Sequence, residues 1–235
     1  MKISKVLYIN LDHRQDRLVS IQQVLSHCPY PIQRIEGVKL GDKDLIVYQT
    51  IDDHKKFSKG GMIGCVLSHK KCVEYLLSQD LPQDEYSLIL EDDVQIHKSF
   101  WELLDTINIA EDADLIFFDA ISNASYAGLH DIYHNAYPIV YKIPIGINCK
   151  SQNHIQLHGE QIGNCFFGTH CLAYKNSKLK TMLKWFNKIE IYGNIDKLLV
   201  PAKQFNRYFV QTNLMFQDKI NLNSDINKRL NRNIQ

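Results

Sequence analysis

The stretch SLILEDD, residues 87–93, joins a short apolar run to three consecutive acids. The run from Ser87 to Leu90 predicts a buried strand, so the carboxylates of Glu91, Asp92 and Asp93 should follow at its C-terminal end. In open α/β sheets the ligand crevice lies outside the carboxyl ends of the strands. This stretch therefore predicts an α/β fold with an acidic site at the edge of its sheet.

The opening of the chain favours a parallel sheet. Residues 6–11 form an apolar run, residues 18–25 an amphipathic stretch and residues 31–38 a second strand-like run. This strand, helix, strand order is typical of parallel α/β sheets. The chain has 235 residues, 45% of them hydrophobic, which suits one sizeable domain. We expect a single α/β domain over residues 1–220 with a central, mostly parallel sheet, and a polar tail over residues 221–235.

The later elements follow the same alternation. Apolar residues at helical spacing from Ile63 to Leu77 predict a core-packing helix. Ser99 and Glu102 have the form of a capping box, and an apolar strand over residues 115–118 ends in Asp119. We further expect long functional loops over residues 123–161 around one strand at 139–143, a strand at 165–174, and helices at 177–186 and 195–199.

Charge and composition exclude several classes of protein. A formal net charge of +1 gives no global attraction for nucleic acid, so no nucleic-acid partner is expected. The apolar run near the start is too short for a signal or a membrane span. We therefore expect a soluble, cytoplasmic protein with at most peripheral contact at the inner face of a membrane. The six cysteines show no CxxC pair and no zinc spacing, which indicates reduced and mostly buried thiols.

The acidic triplet favours a divalent cation. Side chains two apart in extended backbone point the same way, so Glu91 and Asp93 should face one side and Asp92 the other. Carboxylates can recruit a nucleotide diphosphate only through a cation such as Mg²⁺ or Mn²⁺, because bare acids would repel it. The alternative is a solvated acidic turn without metal. Crowded like charges need a cation or a basic partner, which favours the metal site.

Three segments carry a resemblance to a known family. They are GMIGCVLSH at residues 61–69, LILEDDV at residues 88–94, and the opening YINL at residues 8–11 with Arg14 and Arg17 behind it. Together they resemble glycosyltransferase family 25, whose bacterial members build lipooligosaccharide and whose animal relatives glycosylate collagen hydroxylysine. The resemblance extends over about residues 3–200.

This resemblance implies a GT-A (Rossmann-like) fold and a UDP-sugar donor, most often UDP-galactose and possibly UDP-glucose. It also implies inversion at the anomeric carbon, an acceptor hydroxyl on a glycan, glycolipid or glycosylated protein, and a DxD-like role for the acidic triplet. One departure is Met62, where the family commonly carries Glu. The resemblance therefore assigns no donor-side role to Met62.

The resemblance also assigns roles to residues. Glu91 and Asp93 would bind Mn²⁺ or Mg²⁺, and Asp93 would thereby be catalytic. Asp196, which falls on a family-like step, would be the general base; Asp119, Glu160, Glu190 and Asp218 are alternatives by their chemistry alone. A third metal ligand could be His170, Gln217 or Asp218. Donor binding is expected from Asn10, Arg14, Arg17, Ser68, His69, Glu91, Asp92 and Asp119.

Some of these residues could instead have a purely structural role. Arg14 and Arg17 could mark a solvated helix start instead of a phosphate site, and His69 could be a helix-surface histidine. Two rival functions also remain. One is a degenerate GT-A domain that binds nucleotide sugar or glycan without turnover. The other is a metal-dependent phosphohydrolase using the same acids, which is disfavoured because no second metal cluster is visible in the sequence.

Overall fold

The computed structural model describes residues 1–41, 59–122, 139–143, 155–157, 160–162, 165–191, 195–211 and 215–217. The described helices are α1 Gln15–Val24, α2 Lys59–Leu77, α3 Ser99–Thr106, α4 Leu179–Phe186 and α5 Ile195–Leu199. The described strands are β1 Ile3–Asn10, β2 Ile32–Glu36, β3 Tyr86–Glu91, β4 Val94–Ile96, β5 Leu115–Ser122, β6 Ile139–Lys142, β7 Ile155–Leu157, β8 Glu160–Ile162, β9 Cys165–Lys175, β10 Arg207–Gln211 and β11 Met215–Gln217.

A seven-stranded sheet organises the described residues, in the order β2-β1-β3-β9-β5-β10-β6. Strands β2, β1 and β3 pair in parallel, as do β5 and β10, whereas β9 is antiparallel to both β3 and β5 and β6 is antiparallel to β10. Most strands of this sheet therefore run in one direction. The predicted α/β class with a central, mostly parallel sheet is confirmed.

The sheet is covered on both faces because its central strands are apolar on both sides. In β3, Ile89 packs into one core with α2 and α4, while Leu88 and Leu90 pack into a second core with α1 and α3. All three side chains are fully buried. Such continuous apolar runs are typical of strands covered by helices on both faces. The strand that ends at Glu91 is thus held rigidly in the middle of the fold.

Two local predictions are wrong. The capping box at Ser99 does not form: Ser99 is the first residue of α3, the N-cap is Lys98, and no side chain caps the helix. Instead the Ser99 backbone N–H donates to the His97 ring Nδ1 at 3.3 Å. The strand after Leu115 does not end at Asp119 but continues to Ser122, because β9 keeps pairing with it beyond that point.

Other predictions fall partly outside the described residues. The strand expected at 139–143 is confirmed as β6, and within 123–161 the structure also describes β7 and most of β8. The remaining positions of that segment, and the polar tail from 221 to 235, lie outside the described residues. Among the helices that are described, none is long and apolar enough to cross a membrane.

Candidate functional site

The acidic triplet forms the turn between β3 and β4. Glu91 is the last residue of β3, Asp92 and Asp93 make the turn, and both aspartates are buried. The carboxylates of Glu91 and Asp93 lie 3.6 and 3.5 Å from His170 Nδ1. Asp92 faces the other way, toward Asn10 and Arg17. The predicted division of the triplet into a shared pair and an opposed acid is therefore confirmed.

Asp92 is buried and is held by hydrogen bonds within the protein. Its Oδ2 accepts a hydrogen bond from Asn10 Nδ2 at 2.8 Å, and its Oδ1 accepts one from Arg17 at 2.7 Å. Burial raises the pKa of Asp92, and the charge and hydrogen bond of Arg17 oppose that rise. Charge-assisted bonds of this kind are short and directional. Asp92 thereby ties the turn to β1 and α1.

Arg14 and Arg17 differ in their partners. Arg17 is buried and also lies 3.5 Å from Asp93 Oδ2, so its guanidinium offsets two of the three acids. Arg14 is equally buried but pairs at 2.8 Å with Asp16, whose side chain is 58% exposed. Arg17 is thus part of the acidic site and not a solvated helix residue. The expected contacts of both arginines with a donor stay predictions.

Asn10 at the end of β1 is fully buried and is fixed from two sides. It donates to the Arg14 carbonyl at 3.2 Å and to Asp92, and its Oδ1 accepts from Arg34 Nε at 3.2 Å. Both ends of its amide are therefore used within the protein. Asn10 positions the acidic turn, and any contact with a nucleotide remains a prediction.

An irregularity in β9 brings two further side chains to the triplet. Phe118 of β5 pairs with Cys171, but Ala120 pairs with Phe167, so Asp119 alone faces a three-residue stretch of β9. Bulges of this kind redirect side chains and are common beside active sites. In a regular strand Thr169 and His170 would point to opposite faces. Here both side chains contact Glu91.

Glu91 is the centre of this arrangement. Thr169 Oγ1 donates to its Oε1 at 2.6 Å, and His170 lies 3.6 Å from its Oε2. Burial acts to raise the pKa of Glu91, but His170 and His69 more than offset it, and the pKa lies well below its usual range. Burial likewise acts to lower the pKa of His170, yet Asp93 and Glu91 raise it to about 10. The positive charge of the His170 imidazolium thus offsets part of the negative charge of the Glu91 and Asp93 carboxylates.

Glu91, Asp93 and His170 fit a divalent cation. One ligand atom from each lies within 4.8 Å of the others. The His170 Nδ1 is buried and makes no hydrogen bond within the described residues. The two carboxylates suit Mn²⁺ or Mg²⁺, and the imidazole favours Mn²⁺ of the two. Of the three ligands considered from the sequence, the structure places His170 here. Gln217 pairs by its backbone with Val94, next to Asp93, but its side chain and Asp218 lie outside the description.

Helix α2 adds a second group of side chains on the other side of Glu91. Cys65 Sγ and His69 Nε2 lie 3.6 and 3.5 Å from Glu91 Oε1. These three residues also place ligand atoms within 4.8 Å of one another. The structure therefore shows a candidate second cluster, which shares Glu91, where the sequence shows no obvious one. Cys65 and His69 are four residues apart, which places them on one helix face.

The remaining predicted residues of α2 and β5 have structural surroundings. The Ser68 hydroxyl donates to the Gly64 carbonyl at 2.6 Å and accepts from the Val38 N–H at 2.8 Å, so it ties α2 to the chain after β2. His69 is fully buried and is not a helix-surface histidine. Asp119 lies opposite the β9 irregularity, but its side chain is outside the description. Donor contacts of all three stay predictions.

The candidates for a general base lie in different places. Asp196 begins the first turn of α5, which packs against α2 and β9. Its charge contributes, after burial and Glu91, to raising the pKa of Cys65. Asp196 therefore lies on the α2 side of the acidic site. Glu190 is exposed after α4, and Glu160 lies in β8, away from the seven-stranded sheet.

Thr169 and Cys65 were not singled out by the sequence as site residues. Thr169 reaches Glu91 only through the irregular pairing of β9, which depends on a partner strand far away in the chain. Cys65 could have been found, because a Cys and a His four residues apart on a predicted helix share one face.

The fold and this cluster define an α/β protein with an acidic, histidine-containing ligand site at the carboxyl end of a central strand. Comparison of the sequence with known families is more specific. Residues 3–199 match glycosyltransferase family 25, described as an LPS biosynthesis protein family. The chain belongs to this family, and its mixed α/β sheet agrees with the GT-A-like fold that the resemblance implies.

Comparison with curated proteins found no significant match. Two solved structures show a distant likeness. One is a glycosyltransferase involved in the glycosylation of the major capsid of PBCV-1, with 10% identity, a TM-score of 0.37 and coverage of 80% of this chain and 66% of that one. The other is the apo-form glycosyltransferase GlyE of Streptococcus pneumoniae TIGR4, with 9% identity, a TM-score of 0.40 and coverage of 88% and 45%. The chain thus spans less than two thirds of either.

Proposed function

We propose that this chain is an inverting, Mn²⁺ or Mg²⁺ dependent glycosyltransferase. It would transfer a hexose, galactose or alternatively glucose, from a UDP-sugar to a hydroxyl of a glycan, glycolipid or protein-linked acceptor. The observation that carries this proposal is the convergence of Glu91, Asp93 and His170 at the end of β3. In a chain of family 25, this is the place where a donor diphosphate would bind.

The charges of the site explain why a cation would be needed to bind a diphosphate. Arg17 offsets Asp92, so Glu91 and Asp93 are the carboxylates that a diphosphate would meet, and they would repel it without a cation. Glu91, Asp93 and His170 would hold the ion. When bound, it would act as a Lewis acid that neutralises the leaving diphosphate.

The protein's own residues hold this site in shape. Arg17 and Asn10 fix Asp92, so the turn keeps the Glu91 and Asp93 carboxylates pointing toward His170. Thr169 fixes the orientation of Glu91 by a 2.6 Å hydrogen bond. Preorganised groups of this kind contribute to catalysis because they need not reorganise during the reaction. Arg17 and Asn10 act here as positioning residues.

Asp196 is our candidate for the general base. An inverting transfer needs a group that takes the proton of the acceptor hydroxyl as it attacks. Asp196 is partly exposed at the start of α5, and this helix packs on the strand that carries His170. A carboxylate there could meet an acceptor while the donor diphosphate binds at the end of β3.

The test is a screen of UDP-, GDP- and CMP-sugars for donor hydrolysis with Mn²⁺, with Mg²⁺ and with EDTA. We expect hydrolysis of a UDP-hexose with Mn²⁺ or Mg²⁺, and none with EDTA. Calorimetry with UDP, with and without Mn²⁺, separates this function from a degenerate domain, which would bind UDP with metal but hydrolyse no donor. Turnover that persists in EDTA would refute the metal-dependent mechanism.

A further inference from the structure

The two oxygens of Glu91 face two different sets of donor atoms. Oε2 lies 3.6 Å from His170 Nδ1, on the side of Asp93. Oε1 lies 3.6 Å from Cys65 Sγ and 3.5 Å from His69 Nε2, on the side of α2. Thr169 also donates to Oε1 at 2.6 Å, which fixes the carboxylate and leaves a second lone pair. The cation proposed to bind the donor diphosphate would contact the first set of atoms and not the second.

The spacing of the second set is that of a small tetrahedral metal site. Zinc binds sulfur at about 2.3 Å and nitrogen or oxygen at about 2.0–2.2 Å, so neighbouring ligand atoms lie about 3.3–3.7 Å apart. The distances from Glu91 Oε1 to Cys65 Sγ, 3.6 Å, and to His69 Nε2, 3.5 Å, fall in this range. Both are too long for strong hydrogen bonds. These two distances, with all three ligand atoms within 4.8 Å of one another, are compatible with a shared ion.

The chemistry of these donors differs from that of the first set. A thiol, an imidazole and one carboxylate select Zn²⁺, whereas Mg²⁺ and Mn²⁺ prefer oxygen ligands. His69 is fully buried, and its Nδ1 makes no hydrogen bond within the residues that the structure describes. Its Nε2 faces Glu91 Oε1 and is the ring nitrogen that would bind an ion. Cys65 is partly exposed, which gives an ion a path to the site.

We propose that Cys65, His69 and Glu91 form a Zn²⁺ site distinct from the diphosphate cation site, with a fourth position open to water. On binding, a zinc–sulfur bond forms and the thiol proton passes to solvent, with no change of oxidation state. Because Glu91 is shared, zinc at this site withdraws negative charge from the other cation and weakens its binding. This inhibitory consequence rests on the proposed function, whereas zinc binding itself does not.

Cobalt spectroscopy of the purified full chain tests the site without any assay of activity. Co²⁺ replaces Zn²⁺ and shows a thiolate-to-metal charge-transfer band when a cysteine is a ligand. We expect this band in the wild type, its loss in Cys65→Ser, and its retention in Cys28→Ser, a matched control because Cys28 is also partly exposed. Retention in His170→Ala would separate the site from the diphosphate cation. No band in the wild type, or a band that survives in Cys65→Ser, overturns the proposal.

Inhibition gives a second readout. Zn²⁺ should inhibit Mn²⁺-dependent donor hydrolysis, and Cys65→Ser should need at least about tenfold more Zn²⁺, because even partners of metal ligands contribute about 10–100-fold to affinity. Equal inhibition of both proteins contradicts the proposed link. If no donor is hydrolysed at all, the proposed function fails while the cobalt result stands by itself.

A wild-type measurement guards against a variant that does not fold. X-ray absorption at the zinc edge of the zinc-loaded wild type should show one sulfur neighbour at about 2.3 Å together with nitrogen or oxygen neighbours. A spectrum with nitrogen and oxygen neighbours alone overturns the site.

Discussion

Replacing Arg17 by Met removes the guanidinium that holds the acidic turn. Arg17 bonds to Asp92 at 2.7 Å and lies 3.5 Å from Asp93, and all three side chains are at most 10% exposed. Loss of one partner from a buried ion pair costs about 3–5 kcal/mol, because the remaining charge stays buried. For a chain of this size each kcal/mol lowers the Tm by about 2–4 °C. We expect Arg17→Met to lower the Tm by roughly 6–20 °C in EDTA.

The pH dependence of this loss follows from Asp92. Burial raises its pKa in the folded protein and Arg17 opposes the rise, so Arg17→Met should raise it further. An acid whose folded pKa is raised destabilises the fold when it ionises. The loss of stability in Arg17→Met should therefore be small near the ordinary aspartate pKa of about 3.9. It should grow as the pH rises to the folded pKa of Asp92 in the variant, and it should be constant above that pKa.

Metal should reverse part of the loss. A cation held by Glu91 and Asp93 would replace some of the positive charge that Arg17 supplied, so Mn²⁺ should raise the Tm of Arg17→Met more than that of the wild type. Arg14→Met is the matched control, because Arg14 is buried on the same segment but pairs with the exposed Asp16. Because Arg14 holds the pKa of Asp16 below its usual value, the stability lost in Arg14→Met should be constant above about pH 4, and Mn²⁺ should not restore it. Thermal unfolding over a range of pH, with EDTA and with Mn²⁺, measures the pH dependence and the rescue by metal. An Arg17→Met protein as stable as the wild type refutes the reasoning.

Three further predictions concern activity and packing. Asp93→Asn should abolish metal-dependent turnover and weaken UDP binding in Mn²⁺ while the fold survives, since Arg17 keeps Asp92 and His170 keeps Glu91 as acidic partners; near wild-type turnover in the donor assay contradicts this. Asp196→Asn should lower kcat by about 100–10,000-fold with donor affinity unchanged; steady-state kinetics showing loss of donor affinity alone would assign it to binding. Gly64→Ala would place a Cβ 2.4 Å from the Val38 carbonyl oxygen, so it should cost about 1–3 kcal/mol in urea unfolding. Gly37→Ala, whose Cβ would be 3.0 Å from a side-chain carbon, should cost less.

Contiguous features were predictable from the sequence. The apolar run before Glu91 identified the buried strand, and this prediction depends only on local geometry. The opening strands and helix were found for the same reason, with their ends shifted by one to three residues. Asp92 does face away from His170 as expected, but Asp92 and Asp93 form a turn and both contact Arg17, so the two-residue period of extended backbone is not the reason.

The partners of the triplet were less predictable. Arg17 and Asp92 are 75 residues apart, and the pairing of β1 with β3 and the packing of α1 on β4 bring them together. Thr169 and His170 both reach Glu91 because β9 departs from regular pairing opposite Asp119, and strand register is not encoded in a local pattern. Contacts between distant segments thus complete a site of which the acidic triplet is the contiguous part.

The central claim is that Glu91, Asp93 and His170 hold the cation that binds the donor diphosphate. The most direct test is a crystal structure of the protein with Mn²⁺ and UDP, with anomalous data collected for manganese. We predict an anomalous peak bounded by Glu91 Oε2, Asp93 Oδ1 and His170 Nδ1, in contact with the UDP diphosphate. UDP bound with no manganese at these atoms, or manganese held elsewhere on the diphosphate, would contradict the claim.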